Sequence, residues 1–415
     1  MDSTSNVGRR QAFAARDRFP PAEKVATAPV GVNAESKGPK TLVKKTTPGT
    51  PKDKPPGSPA APHFNFYHDE PLFGLDIGYT SMKVMQLAPT RDRPKVVGYG
   101  VSNFYPMSLI QNGEIVNFKG LAKYLHELFE DGLIGSISTR RVACSIPTSH
   151  TFSRPMKLPP MEKDELAEAV HLEAEQYIPV PAEKLYLDYD ILRSDEEGTD
   201  LLVVATPKNI IDSYMKFLEL VGLEPVAMEP TMNATARLFG LADPSHAQPS
   251  VLVDFGSIAV DLAVFDKTIF VNSTVNGGSD TLTTLIAQQL GISVQQAFGI
   301  KSKYGISYSE KLGSIMNAAQ PILDNLIRET RKIIRYYDER TSKEQKITQI
   351  ITTGGGATLS GLSEFLSRQL NLPTRMLDPW HKIDFGELGP PTELAKSMYI
   401  TVAGEAILNP KELFA

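Results

Sequence analysis

Two copies of one short pattern constrain this chain more than any other feature. Phe73 to Leu87 reads FGLDIGYTSMKVMQL, and Val251 to Phe265 reads VLVDFGSIAVDLAVF. Each is an apolar run ending in Asp-x-Gly, a small polar turn and a second apolar run, the pattern of a buried β-hairpin. A strand ending this way carries a carboxylate to the mouth of a cleft. The glycine permits a tight turn whose backbone N–H groups can come close to a phosphate. Either copy alone reads as a plain hairpin. Two copies about a domain length apart point to two lobes closing on a nucleotide.

The hairpins are chemically unequal. Asp76 and Asp254 suit Mg²⁺ held through its waters, because that ion dehydrates reluctantly. After the first turn come Ser81 and Lys83, and a lysine there can meet a phosphate as a point charge. The matching residues of the second hairpin are Ala259 and Asp261. A third element, Gly354-Gly355-Gly356, follows an apolar run and precedes an amphipathic one. Glycines in a strand-to-helix turn let a flat ligand or a phosphate approach the main chain. Neither GxGxxG at this turn nor GxxxxGK[ST] anywhere is present.

At 415 residues the chain has room for two or more domains. A net charge of −5 provides no drive toward nucleic acid. Cys144 is the only cysteine, which excludes an internal disulfide and a cysteine-based zinc site and fits a reducing compartment. The seven histidines are scattered without metal-ligand spacing. The N-terminus has no apolar core of a signal peptide, and no apolar stretch is long enough to cross a bilayer. The expectation is a cytoplasmic protein that reaches a membrane only through a partner.

Residues 1–70 are rich in Pro, Lys, Thr and Ala and have no hydrophobic period, so they are expected to form a disordered tail. From Leu72 the pattern alternates strand and helix. A first lobe is expected over 71–152 and 207–249, with a closing helix over 392–408. Residues 153–206 read strand, helix, strand, strand, a small inserted α+β subdomain. A second lobe is expected over 250–391, with a long amphipathic helix from Pro321 to Arg340 and a helix opening after Gly277-Gly278. The acids of the 162–177 helix read as a solvated face. Hydrolytic chemistry has little support, since Ser149 and His150 are adjacent but lie in no GxSxG turn.

The order of hairpin, hairpin and glycine turn resembles the actin-like ATPase superfamily. More narrowly, MKLPPMEKDELAEAVHLEAEQYIPVPAEKLYLDYDIL resembles the inserted subdomain of the PilM family of type IV pilus assembly proteins. GLDIGYTSMKVMQL, LVVATPKNIIDSYMKFLELVGLEPV, LVDFGSIAVDLAVF and ITTGGGATLSGL also match that family in order, over about residues 72–408. The resemblance implies an α/β, ribonuclease H-like, two-lobed actin-type fold with a small FtsA-type (SHS2) subdomain. It implies ATP and Mg²⁺ as cofactors. It also implies binding of the N-terminal cytoplasmic peptide of a PilN-like inner-membrane protein, beside the small subdomain, with recruitment to the inner face of that membrane. The adaptor would thereby join pilus assembly ATPases and platform proteins. Self-association is left open.

By position, the resemblance assigns Asp76, Gly78, Tyr79, Thr80, Ser81 and Lys83 to a first phosphate loop, and Asp254, Gly256 and Ser257 to a second. Gly277 and Gly278 match a glycine pair, with Asn276 in place of an apolar residue. Lys301 and Lys303 match basic positions near the nucleoside, and Gly354, Gly355 and Gly356 an adenosine loop. Two departures point to weak or slowly turned-over ATP. The Gly256-Ser257-Ile258 turn lacks a glycine run, and Phe298 stands where relatives often carry an acid. No residue presents itself as a catalytic base. The alternatives are an FtsA-like division tether, disfavoured by the ending AILNPKELFA with its proline and single lysine, and a small-molecule phosphotransferase on the same fold.

Overall fold

Each of the two hairpins lies within a larger sheet. The computed structural model describes residues 71–88, 93–104, 109–243, 248–307, 312–341 and 345–408. The segment 1–70 expected to be a tail, and the last seven residues, lie outside them. Strands β1 (Phe73–Ile77) and β2 (Ser81–Ala88) form the first hairpin, with Asp76 opposite Lys83, and β3 (Lys95–Asn103) extends it. The short pair β4 (Ile110–Gln111) and β5 (Glu114–Ile115) precedes α1 (Phe118–Asp131), β6 (Leu133–Gly135) and β7 (Arg141–Ile146). An inserted unit follows: β8 (Phe152–Leu158), α2 (Lys163–Ala174), β9 (Leu185–Asp195) and β10 (Gly198–Pro207). The chain continues through α3 (Lys208–Leu220), β11 (Glu224–Pro230) and α4 (Thr231–Ala242). The second hairpin is β12 (Ser250–Phe255) and β13 (Ala259–Asp266), with Asp254 opposite Asp261. After it come β14 (Thr268–Asn276), α5 (Ser279–Leu290), α6 (Val294–Tyr304), α7 (Leu312–Asp338), β15 (Gln349–Thr353), α8 (Leu362–Leu370), β16 (Thr374–Met376), α9 (Glu393–Lys396) and α10 (Ile400–Ala406).

The two large sheets share one topology. One runs β11-β7-β1-β2-β3, with β6 added at its edge, and the other β16-β15-β12-β13-β14. In each, three strands meander antiparallel, and the hairpin's first strand then pairs parallel with the next strand of the lobe. Parallel neighbours need crossovers, which α1, α3, α5 to α7 and α8 supply. The likeness seen in fifteen-residue hairpins therefore extends to five strands per lobe. β1 and β7 are buried along their whole length, and β12 and β15 along most of it. Burial on both faces explains why they read as unbroken apolar runs.

Three cores hold this arrangement. One packs α1 and α3 on the first sheet, using Leu121, Leu125 and Leu128 at helical spacing. Another packs α5, α7 and α8 on the second sheet. The third lies between the sheets, where α4 and α10 bring Met232, Phe239, Ile400 and Val402 against Met85, Leu252 and Ala263. The inserted unit is a three-stranded sheet, β8-β10-β9. Its own small core packs α2, through Leu166 and Val170, onto Met156, Leu158, Leu201 and Val203.

Two helices differ from expectation. The long helix of the second lobe starts at Leu312, not Pro321, and carries Pro321 inside it. Proline removes one helical N–H, and the carbonyl it leaves open belongs to exposed Asn317, within reach of solvent. The single closing helix expected over 392–408 is broken into α9, a 3₁₀ turn at Ser397–Tyr399, and α10. The tighter turn sets buried Tyr399 edge-on to Tyr99, ring centroids 5.5 Å apart, and brings Met398 against Gly355.

Candidate functional site

The cross-strand register of the first hairpin places Asp76 beside Lys83, and the two make a buried ion pair. Lys83 Nζ donates to Asp76 Oδ2 at 2.9 Å. Ser145 Oγ, from β7, donates to the other carboxylate oxygen at 2.8 Å. Asp76 is thus held from two strands, with its neighbours Ile77 and Leu75 in the core. In the turn, Gly78 N–H donates to Ser81 O, whereas Tyr79 and Thr80 donate to no described backbone carbonyl. Two adjacent unengaged N–H groups are what an anion-binding concavity requires.

The second hairpin repeats this with a different charge. Gly256 N–H donates to Ala259 O, and Ser257 and Ile258 keep their N–H groups free of described backbone acceptors. The turn is tied to the start of α5: Ser279 and Asp280 donate to the carbonyls of Gly256 and Ser257 at 2.9 and 2.8 Å. A side chain at Gly278 would strike the Gly256 carbonyl at 2.4 Å, so the glycine pair permits this approach. Gly354, at φ +82°, lies so close to Asp254 that a Cβ would meet the carboxylate. Beside it the Thr353 hydroxyl is buried without a hydrogen-bond partner. Gly356 makes room for the Phe255 ring in the same way.

The two hairpins lie near enough for their charged groups to interact. Burial, the negative charges of Asp261 and Asp76, and only partial relief from Lys83 push the Asp254 carboxyl up to about 7. Burial raises Asp261 to about 6 despite a hydrogen bond from Thr274 Oγ1. Tyr79 also feels Asp261, and burial raises its phenol. Its hydroxyl shares a 3.0 Å hydrogen bond with His150 Nε2, whose ring burial pushes toward the neutral form. Asp254 is half-buried as a residue, and Lys83 offsets its carboxylate charge only in part.

That arrangement makes stability depend on pH. Folding raises Asp254 above its ordinary 3.8, so the folded state binds the proton more tightly. The associated stability is fully present below about 3.8 and is lost as pH rises through about 7. At about 1.36 kcal/mol per pH unit, discounted for its partial exposure, Asp254→Asn should gain roughly 1–2 kcal/mol over the unsubstituted protein between pH 5.5 and 8. Denaturant unfolding at the two pH values measures this, and a difference independent of pH would contradict it.

Lys301 has a structural task. Its ammonium donates to Ser279 O at 2.8 Å and to Ser279 Oγ at 2.7 Å, pinning the end of α6 to the start of α5. Burial lowers its pKa, partly offset by Asp280. The turn after α6 meets the loop after the glycine run, with Ile306 N–H donating to Ser360 O. Asp76, Gly78, Tyr79, Thr80, Ser81, Lys83, Asp254, Gly256 and Ser257 therefore form or support the two turns. Gly354, Gly355 and Gly356 abut the second through Asp254 and Phe255. Gly277, Gly278 and Lys301 brace the second turn from behind. Sequence reasoning missed Ser145, Thr353 and the Gly113–His150 contact under Tyr79. In that contact a Cβ at Gly113 would strike the imidazole at 2.4 Å. Only the Asn112-Gly113 dipeptide carried a signal, that of a type I′ hairpin, and both residues adopt positive φ.

The residues present suit a nucleotide with its divalent ion. The two hairpin turns offer free amides, and beside Asp254 lie an orphaned buried hydroxyl and a glycine whose Cβ would collide with the carboxylate. Among the described residues no cluster of three or more His, Cys, Asp or Glu forms a metal site. Two carboxylates suit an ion that keeps its waters.

Comparison with known proteins agrees with the fold. A solved structure described as the PilM-PilN type IV pilus biogenesis complex matches at a TM-score of 0.69 and 22% identity, covering 81% of this chain and 97% of that one. Ethanolamine utilization protein EutJ from Carboxydothermus hydrogenoformans matches at 0.47 and 17%, covering 81% and 88%. MreB5 of Spiroplasma citri bound to ADP matches at 0.47 and 13%, covering 84% and 99%. The fold is shared with the solved PilM-PilN relative. Residues 74–407 match the family described as type IV pilus assembly protein PilM, a span holding both hairpins, the inserted unit and the glycine turn, and the chain belongs to that family.

Proposed function

We propose that this protein is a nucleotide-binding scaffold of the type IV pilus machinery. ATP, with Mg²⁺ held through water by Asp76 and Asp254, occupies the cleft. The turn amides of both hairpins and Lys83 receive the phosphates. The observation that carries this reading is the pair of neighbouring Asp-x-Gly turns, with an only partly compensated carboxyl at Asp254 near the Lys83–Asp76 pair. Bound Mg²⁺ supplies the positive charge that lets phosphates and these carboxylates share the cleft. The second turn lacks the glycine run of fast ATPases, and on this reading the nucleotide acts chiefly as a conformational ligand and turnover is slow.

The partner is the N-terminal cytoplasmic peptide of a PilN-like inner-membrane protein, the kind of protein found with the solved relative. Support comes from the junction of α3 and the inserted unit. There Tyr186 Oη donates to Asp212 at 3.0 Å, and exposed Tyr186 and Met215 offer apolar surface. No helix among the described residues is long and apolar enough to cross a membrane, so recruitment to the inner membrane runs through the partner. The scaffold then joins that partner to the cytoplasmic motor and platform.

Strand β8 of the inserted unit touches β14 of the second lobe. Closure of the lobes on nucleotide therefore changes the surroundings of the peptide site, and the coupling equals the difference in peptide affinity between the two states. Titrating the host's PilN-like N-terminal peptide with and without Mg-ATP should give binding in both conditions, with affinities differing about fivefold or more. No binding in either condition overturns the reading.

A further inference from the structure

A groove of about 740 Å³ lies between α7 and α8 of the second lobe, lined by none of the hairpin residues. Its floor is apolar, from Met316, Ile327 and Phe365, and its rim carries Arg328, Arg331, Lys332 and Arg335 together with one acid, Asp324, which accepts from Gln320 Nε2 at 2.6 Å. Arg331 donates to Gln369 O at 2.7 Å and so fastens the groove's two walls. Arg328 and Lys332 share one acid, Glu329, at 3.9 and 3.2 Å. Arg335 has no ion-pair partner among the described residues. Four exposed cations around an apolar floor are unusual on a chain with a net charge of −5. From Met316 to Arg335 the groove follows α7 for about 28 Å, the reach of a helix or peptide rather than a small anion.

The chain presents the complement elsewhere. On α2 the inward face is Leu166, Val170 and Ala174. The outward face is Glu165, Glu168, Leu172 and Glu175, with Leu172 61% exposed. These positions recur at helical spacing, so one exposed leucine sits between carboxylates. None of the three acids is in an ion pair with a described residue, and among the described residues no ion pair joins α2 to α7. At twelve residues, α2 is about 18 Å long and fits within the groove.

We propose that α2 of one molecule docks in the α7–α8 groove of a second copy, Leu172 on the apolar floor and the glutamates among the arginines. The two surfaces differ, so the contact is heterologous and propagates head to tail into a ring or an open chain. Charge complementarity selects this occupant. The chain's own segment before residue 71 is net basic in sequence, the wrong sign for this rim. One helix in one groove buries less area than a standard stable interface, so the affinity is weak, with Kd of about 10–100 μM, and salt-sensitive. Such a contact becomes effective where a membrane partner concentrates the protein. It is independent of the nucleotide cleft.

Sedimentation of the full chain tests this, up to about 200 μM in low salt and in about 0.5 M salt. The unsubstituted protein should associate with concentration in low salt and revert toward monomer in high salt. Two variants spare the fold because every changed residue is exposed: Arg328→Ala with Arg335→Ala, and Glu168→Ala with Leu172→Ala and Glu175→Ala. Each should weaken self-association at least about tenfold. Mixed in equal amounts, they share one intact α2–groove pair and should form a dimer but nothing larger. A protein that stays monomeric in low salt, variants that associate as the parent does, or a mixture that stays monomeric overturns the proposal. Association that ignores both variants places the contact on another surface, and binding of an acidic peptide without self-association assigns the groove to a different partner.

Discussion

Replacing Asp76 and Asp254 together with alanine is expected to lower Mg-dependent ATP binding at least about a hundredfold, measured by titration at neutral pH. The two residues sit on separate lobes, so neither replaces the other in holding an ion between them. The single substitutions separate a binding role from a structural one. Asp76→Ala strands buried Lys83 and the Ser145 hydroxyl, which lose their acceptor. Breaking a largely buried pair in this way should cost about 3 kcal/mol. Asp254→Ala removes a carboxylate that burial and two like charges disfavour, so stability at pH 8 should hold or rise. Binding should fall in both. Loss of binding that follows stability alone, or binding unchanged in the double variant, would place the nucleotide elsewhere.

Much of this site is local in sequence, and that part was legible. Asp-x-Gly between apolar runs defines both the hairpin and the carboxylate's position in it, because strand register is set within a few residues. What the sequence does not carry is the pairing of distant atoms. Ser145 lies in an apolar strand that reads as core, and only the parallel register of β1 and β7 brings it to Asp76. Lys301 matches a nucleoside-side position, but its ammonium is committed to Ser279 across a helix–helix contact. The start of α6 does carry a local signal, since Ser293 and Gln296 form a capping box. Pro321 reads as a helix boundary, so the sequence pattern places the start of the long helix later than Leu312. Tertiary packing of Ile315, Ala319 and Leu323 outweighs the one lost hydrogen bond. The break in the closing helix leaves no local signal because it serves Tyr399 and Met398, whose partners, Tyr99 and Gly355, are remote in sequence.

The positions least tolerant of change should be two glycines that carry no chemistry. Helix α10 lies against α4 and against β1, the strand that holds Asp76. A Cβ on Gly404 would fall 2.0 Å from the carbonyl oxygen of Ala234, and one on Gly74 would fall 2.4 Å from that of Val402. Both obstacles are backbone, so no rotamer change relieves them, and the helix must move away from its neighbour. α4 and α10 together form the layer between the two sheets, and displacing one opens gaps along the other. Gly404→Ala should therefore cost about 3 kcal/mol or more and lower Tm by roughly 4 °C or more. Gly74→Ala should do the same and also weaken nucleotide binding, since it shifts β1 beneath Asp76. Gly240→Ala, on α4, is the control. Its Cβ would meet only the Phe265 ring at 3.9 Å, and helix propensity favours alanine by about 0.5–1 kcal/mol. Thermal unfolding of the three variants should rank Gly240→Ala at or above the parent and the other two far below it. If Gly404→Ala melts with Gly240→Ala, the close approach of α10 to α4 is not what holds β1 and its carboxylate in place.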